Sequence, residues 1–313
     1  MRKYYFAIDI GGTNIKSGVV DENNDILCEM LCKTEDYLVD NLLAECVLKV
    51  IKDLEEKSKF LISNSSGLGI GIPGVIDKAT GKIIKAVNLH ICNQDFIEKL
   101  KSEVTVPIKI ANDADIATLA EQKLGAGKDI SNFIMVTLGT GIGGGIVLGG
   151  KNLGLEFGLP FEVGHLKIFG NQNKCTCGEV GCYETIGSTK VLVNELKSAL
   201  SKNLTSAIWK KYNLSNIDGK TIFEFPKDYT AKEVLKQYIK NVASGLISLV
   251  NIFKPEQIVI GGAISKQKKN LVEPLEICVN KHNFFKQTGY HVKIVPAMLG
   301  NTAGIVGAKL LFD

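Results

Sequence analysis

The sequence predicts an α/β protein built from two related domains. Three observations predict it. Strand-like and helix-like segments alternate along the chain. One glycine-rich segment recurs 127 residues later, Phe6 answering to Phe133. The chain has 313 residues, more than one hydrophobic core usually serves.

Taken in order, residues 5–10, 15–20 and 26–33 are apolar or β-branched runs separated by Gly11-Gly12 and by the turn-rich stretch 21–25, which reads as three successive strands. Residues 38–54 carry apolar side chains at helical spacing and predict an amphipathic helix. Short apolar strands follow near 67–72 and 108–110. A helix is expected from Ala114 to Leu124, stopped by Gly125. Residues 132–138 and 144–148 read as strands again. A long helix should run from about Ala231 to Phe253, with Pro255 marking its end. Ile258–Ile260 reads as a buried strand and Ala303–Phe312 as a closing helix.

The repeat aligns FAIDIGGTNIKSGVV (6–20) with FIMVTLGTGIGGGIV (133–147). Phe6, Gly12, Thr13, Ile15, Gly18 and Val20 meet Phe133, Gly139, Thr140, Ile142, Gly145 and Val147. The offset is far beyond a solenoid period. It fits two domains that each open with a strand, a Gly-Thr turn and a second strand. Chance likeness between two glycine-rich hairpins is the alternative.

Composition excludes several classes. Hydrophobic residues are 45% and charged residues 22%, so the chain is not a disordered one. A net charge of +4 gives no concentrated basic face for nucleic acid, and Lys266, Lys268 and Lys269 read as a solvated loop. Asp9 interrupts the N-terminal apolar stretch too early for a secretory signal, so a cytoplasmic location is expected. Residues 133–150 are uncharged, but seven of them are Gly, which argues for strand and loop against a membrane helix. The chain has eight Cys. A disulfide framework is not expected in a cytoplasmic chain. Cys28, Cys32, Cys46, Cys92 and Cys278 read as buried thiols, whereas Cys175, Cys177 and Cys182 are clustered.

Each repeat has a glycine tip whose backbone N–H groups can cradle phosphate. Thr13 and Thr140 can add hydroxyl donors. Asp9 lies just before the first tip. A carboxylate there would repel phosphate unless a cation intervened, so Asp9 is assigned to Mg²⁺, which usually takes only one or two carboxylates and keeps several waters. A strand-end carboxylate with purely local partners is the other reading. Gly139-x-Gly141-x-x-Gly144 matches the dinucleotide pattern formally, but it leads into a strand, not a helix. No Walker pattern is present.

Asp113 follows the strand 108–110 and precedes the helix from Ala114. It can be an N-cap. It can also be the base that takes the hydroxyl proton in a phosphoryl transfer, a reaction that otherwise needs positioning and charge stabilisation. The helix dipole would keep it ionised. Cys175, Cys177 and Cys182 lie within eight residues, with His165 ten residues upstream, a Cys₃His set suited to structural zinc. Redox or chance clustering is the competing reading. Glu162 and Glu184 flank the cluster and could form a polyol-binding rim with the second nitrogen of His165.

Together these segments resemble the ROK family of sugar kinases and sugar-responsive repressors. The matching stretches are DIGGT (9–13), GIPG (71–74), ND (112–113), GTGIGGG (139–145), ExGH (162–165), CxCGxxGCxE (175–184) and GGA (261–263), in the family's order. The resemblance implies an actin-like ATPase (ribonuclease H-like) fold, with two related α/β domains around a cleft. It implies a small domain of 1–114 plus 301–313 and a large domain of 115–300 carrying a zinc loop at 165–184. It would place Gly74, Asn112, Asp113, Glu162, His165 and Glu184 around a hexose, with Asp113 as base for its 6-OH. Asp9, Gly11, Gly12, Thr13, Gly139, Thr140 and Gly141 would serve ATP and Mg²⁺, and Gly261 and Gly262 would lie near the adenosine. Zn²⁺ would sit on His165, Cys175, Cys177 and Cys182.

Two departures from the family pattern lie near the sugar. Pro160-Phe161 stands where family kinases commonly read Ala-Gly, and Asn88-Leu89-His90-Ile91-Cys92 replaces a common glucokinase sequence. They put glucose itself in question. Fructose, allose, N-acetylmannosamine, N-acetylglucosamine and β-glucosides are the other acceptors. A sugar-sensing repressor would carry a helix-turn-helix before the first glycine turn, for which Asp9 leaves no room. A non-catalytic sugar-binding module is the third reading, against which Asp9, Asp113 and both glycine turns stand. Hexose and ATP are the expected partners, with no nucleic acid and no membrane; a homodimer is in keeping with the family.

Overall fold

In the computed structural model of the chain, which describes all residues except Met1, Asn41, Lys78 and Ala79, the first three strands fall where the apolar alternation puts them. They are β1 (Tyr4–Ile10), β2 (Asn14–Asp21) and β3 (Ile26–Lys33), followed by α1 (Thr34–Tyr37) and α2 (Leu43–Ser58). Then come β4 (Leu68–Ile72), a small antiparallel sheet of β5 (Val75–Ile76), β6 (Ile83–Ala86) and β7 (Ile91–Gln94), α3 (Ile97–Glu103), β8 (Ile108–Asn112) and α4 (Asp113–Leu124). The main sheet of this part has the order β3-β2-β1-β4-β8. β1 pairs antiparallel with β2 and parallel with β4, and β4 pairs parallel with β8.

The period of two along β1 builds two cores. Phe6, Ile8 and Ile10 join the larger one with Leu43, Val47, Val50 and Leu54 of α2. Ala7 points the other way, into a smaller core with Ile116 of α4 and with Ile305 and Ala308 of the closing helix. Asp9 shares that second parity.

The chain continues with β9 (Phe133–Leu138) and β10 (Ile142–Leu148), then β11 (Lys151–Asn152) and α5 (Leu153–Phe157). Next are α6 (Glu184–Gly187), α7 (Thr189–Lys202), α8 (Thr221–Glu224), α9 (Tyr229–Phe253), β12 (Gln257–Gly261), α10 (Glu273–His282), β13 (Lys293–Pro296) and α11 (Ala303–Leu310). β9 pairs antiparallel with β10 and parallel with β12, and β12 pairs parallel with β13. The run β10-β9-β12-β13 therefore repeats the run β2-β1-β4-β8 in order and direction, as the sequence repeat anticipates. The two hairpin tips differ by one residue. Ile10 pairs with Ile15 across four residues, and Leu138 pairs with Ile142 across three. The long α9 ends at Lys254 in a left-handed conformation, φ 46°, immediately before Pro255.

Two compact units result. One comprises Met1–Lys128, Lys151–Phe161 and Asn301–Asp313, the other Asp129–Gly150 and Glu162–Gly300. A division at 114/115 would cut α4, which packs on β4, β8 and α11 within the first unit. The expected helix over 38–54 begins instead at Leu43, after the separate turn α1; Asn41, inside that span, lies outside the described residues. Asp40 has φ 52°, which breaks a right-handed helix at this point. Among the described residues no helix is long and apolar enough to cross a membrane.

Candidate active site

In each unit several predicted residues lie at the carboxyl ends of parallel strands, where open α/β sheets bind ligands. In the first unit Asp9 is the penultimate residue of β1, Gly74 follows β4, and Asn112 ends β8 with Asp113 opening α4. In the second unit Gly139, Thr140 and Gly141 follow β9, and Gly261 ends β12 with Gly262 after it.

Gly11, Gly12 and Thr13 form the tip between β1 and β2. The N–H of Gly11 donates to the Asn14 carbonyl at 2.9 Å. The Thr34 hydroxyl donates to the Gly11 carbonyl at 2.7 Å, and the Thr34 N–H donates to the Thr13 carbonyl at 3.0 Å. With its carbonyls held from behind, the tip has a fixed shape. Asp9 lies mostly, though not fully, buried beneath it. Desolvation pushes its carboxyl above the ordinary carboxylate range, and the nearby charge of Lys16 pulls back. Lys16 Nζ lies 3.5 Å from Asp9 Oδ2. α11 approaches so closely that a Cβ on Gly304 would fall 2.1 Å from that same oxygen. A mostly buried carboxylate with one ammonium at this distance fits a cation site. Lys16 was not singled out from the sequence; its place opposite Asp9 in the hairpin is the signal that would have found it.

Asn112, not Asp113, is the N-cap of α4. Its side-chain oxygen accepts from the N–H groups of Ala114 at 2.8 Å and Asp115 at 3.3 Å. Its amide donates to the Gly74 carbonyl at 3.0 Å, which ties the loop after β4 to the start of the helix. Asp113 is the first helical residue, half-buried, with Oδ1 accepting the Ala114 N–H at 2.9 Å. The cap role that competed for Asp113 thus belongs to its neighbour. Asp113 sits in the first turn, where the helix dipole favours the ionised form.

The second tip is closed by the Gly139 N–H donating to the Gly141 carbonyl at 3.0 Å. Thr189 holds it from behind: its N–H donates to the Gly139 carbonyl at 2.9 Å and its hydroxyl to the Leu138 carbonyl at 3.0 Å. Thr34 and Thr189 play matching parts, and neither was visible as a site residue in the sequence.

His165, Cys175, Cys177 and Cys182 converge. Their ligand atoms all lie within 4.8 Å of one another. Cys177 Sγ and Cys182 Sγ are 3.7 Å apart, and Cys175 Sγ is 3.8 Å from His165 Nδ1. Those are the edge lengths of a tetrahedron with bonds near 2.3 Å, as in a four-coordinate thiolate site. Three thiols and an imidazole are a donor set suited to zinc. Burial opposes ionisation of all three thiols and raises the pKa of Cys175 and Cys182, whereas the Glu179 N–H, the neighbouring thiols and the Lys167 charge hold that of Cys177 below the usual thiol value. The four residues fit a metal ion held entirely by protein ligands. Nε2 of His165, the nitrogen turned away from the cluster, lies 3.8 Å from Glu162 Oε2. Desolvation raises the Glu162 pKa, His165 lowers it, and Glu184 adds to the rise. Glu184 Oε1 accepts from the Cys175 thiol at 3.0 Å. Glu162, His165 and Glu184 therefore form one polar group beside the cluster. Among the remaining thiols Cys46 is buried, Cys28, Cys32 and Cys278 are partly buried, and Cys92 is exposed. The expectation of a buried Cys92 fails because β7 exposes Cys92 and Asn93 together.

Known proteins resemble the chain along its whole length. The family profile described as "ROK family" matches residues 5–313. A glucokinase of Halalkalibacterium halodurans is 31% identical, covering 99% of this chain and 94% of that protein. A xylose repressor of Caldicellulosiruptor bescii is 29% identical over 85% of this chain and 66% of its own length. The solved structure of a ROK family glucokinase from Streptomyces griseus in complex with glucose and AMPPNP superposes with a TM-score of 0.87 at 28% identity, covering 98% of each chain. The fold is the actin-like ATPase fold of the ROK kinases. With its sequence matched almost end to end and its glycine turns, Asn112-Asp113 junction and Cys₃His cluster all formed, the chain belongs to the ROK family.

Proposed function

We propose that this sugar kinase transfers the terminal phosphoryl group of ATP to a hexose hydroxyl, glucose and its 6-OH being the first choice, with Asp113 as general base. The observation that carries the reading is the Asn112-Asp113 junction. Asn112 caps α4 and anchors the Gly74 loop, and Asp113 stands beside it in the first turn, half-buried. The two held glycine tips and the glucose and AMPPNP complex of the Streptomyces griseus relative support it.

In this reading Gly74, Asn112, Asp113, Glu162, His165 and Glu184 hold the sugar. Gly11, Gly12, Thr13, Gly139, Thr140 and Gly141 hold phosphates by their backbone N–H groups, and Gly261 and Gly262 meet the adenosine. Asp113 takes the hydroxyl proton as the sugar oxygen bonds to the γ-phosphorus. The bond from that phosphorus to the β,γ-bridging oxygen breaks, and ADP leaves. Asp9 would hold Mg²⁺, which when bound offsets the phosphate charge. His165, Cys175, Cys177 and Cys182 would hold Zn²⁺ in a structural role, with His165 turning its other nitrogen to the sugar. Such a kinase works in the cytoplasm, where ATP is.

The acceptor is tested by supplying Mg-ATP with a panel of hexoses, N-acetylhexosamines and β-glucosides and following ADP release. One strongly preferred hexose, phosphorylated at its 6-position, is the expected result. ADP release with none of them, from folded and metal-loaded protein, would contradict the reading and turn attention to sugar binding without transfer, as in the xylose repressors of the family.

A further inference from the structure

The segment 182–189 does more than complete the Cys/His cluster. It is the wall against which the second glycine tip is built, and Glu184 stands at the join. One carboxylate oxygen, Oε1, accepts from the Cys175 thiol at 3.0 Å. The other, Oε2, accepts from the N–H of Ile142, the first residue of β10 after the tip, at 3.4 Å. The same oxygen presses on Gly141, where a Cβ would fall 2.5 Å from it, so any larger residue there would force the carboxylate away.

The rest of the segment reinforces this placement. The Ser188 N–H donates to the Glu184 carbonyl at 3.2 Å, and Thr189 fixes the carbonyls of Leu138 and Gly139. The Tyr183 hydroxyl, fully buried, donates to the Val242 carbonyl of α9 at 2.6 Å. The Thr185 hydroxyl and the Asn171 amide donate to the carbonyl of Cys182 at 2.7 and 3.0 Å. Cys182 of the cluster, Glu184 and the tip thus stand on one hydrogen-bonded segment; the Cys175 thiol contact is not part of that link, because Cys175 as a metal ligand is a thiolate with no proton to donate.

We propose that Glu184 is a positioning residue for the Gly139–Gly141 tip, so that the state of the Cys/His cluster sets nucleotide affinity independently of the sugar. The inference rests on the kinase reading above and adds to it a second role for Glu184. When the cluster loses its metal, Cys182 is released and the 182–189 segment that carries Glu184 shifts, so the carboxylate leaves Ile142 and Gly141 and the tip loses its fixed shape.

The test is calorimetric titration of Mg-ADP in the absence of any sugar, with metal content and thermal midpoint measured in parallel. Glu184→Ala should raise the Kd for ADP about three- to tenfold, the range expected for a lost hydrogen bond. Glu184→Gln, whose side-chain oxygen can still accept from Ile142, should restore most of that loss. Wild-type protein stripped by a chelator should shift in the same direction as Glu184→Ala. A folded, metal-loaded Glu184→Ala protein with wild-type ADP affinity would overturn the proposal while leaving the kinase reading intact. Absence of ADP binding by the wild-type chain would overturn both. If Glu184→Ala does not fold, amide hydrogen exchange on the wild-type chain decides: chelation should speed exchange across 139–143 and leave α2 unchanged, and unaltered exchange at the tip would count against the coupling.

Discussion

The Asn112 side chain does two jobs with its two ends: its oxygen caps α4 and its amide donates to the Gly74 carbonyl at 3.0 Å. One side chain thereby fixes the distance between the loop after β4 and the residue that opens α4, Asp113.

Asn112→Ala should remove both contacts. The cap alone is worth about 1 kcal/mol, and the sugar KM should rise several-fold because the Gly74 loop is freed. Thermal unfolding together with sugar and ATP titrations checks this. An unchanged sugar KM would separate Gly74 from the site.

Cys177→Ser should lower bound zinc and sugar affinity together. Cys177 is the thiol held below its usual pKa and 3.7 Å from Cys182, so a hydroxyl in its place forfeits the anionic ligand. Elemental analysis and sugar titration are the measurements. Full zinc stoichiometry in the variant would defeat the ligand assignment.

Phe161→Gly should broaden or shift sugar preference with little change in ATP KM. Phe161 is partly buried beside Glu162 and stands where family kinases commonly have a small residue. The readout is the ratio of kcat/KM between glucose and the N-acetylhexosamines, and an unaltered ratio would show the departure to be silent.

Asp228 gives a pH-dependent prediction away from the site. Burial works against its charge, but the N–H groups of Ala231 and Ala207 and the Ser206 hydroxyl bring its pKa below the model-peptide value of 3.8. A depressed carboxylate stabilises the fold above its unfolded pKa and loses that contribution as pH falls through the folded value. Asp228→Ala should therefore cost about 1–2 kcal/mol at pH 7, as an N-cap loss at the head of α9. The gap to wild type should shrink under acid. Chemical denaturation at neutral and acid pH checks both halves.

Much of this was legible because the local signals were redundant. β1, β2 and β3 were announced by apolar or β-branched runs and by the glycines and turn residues between them. The end of α9 was marked by Pro255, while its start came at Tyr229, two residues before the expected Ala231, with Asp228 as the cap. The Cys₃His cluster followed from spacing alone. What stayed hidden depended on tertiary contact. Lys16 reaches Asp9 only across the paired strands β1 and β2. The cap fell to Asn112 because β8 runs two residues further than its apolar core suggests, to Asn112 itself. Thr34 and Thr189 hold the glycine tips from behind, and no periodicity marks such a role. α2 starts late because Asp40 takes a left-handed conformation, which propensity does not foresee.

The most direct test of the central claim is Asp113→Asn, assayed for sugar-dependent ADP release with the preferred hexose alongside calorimetric binding of sugar and ATP. The account predicts turnover reduced by roughly 10²–10⁴-fold or more, the share a general base supplies, with sugar and ATP affinities close to wild type. Turnover at the wild-type rate would remove Asp113 as the base and with it the proposed chemistry of the Asn112-Asp113 junction.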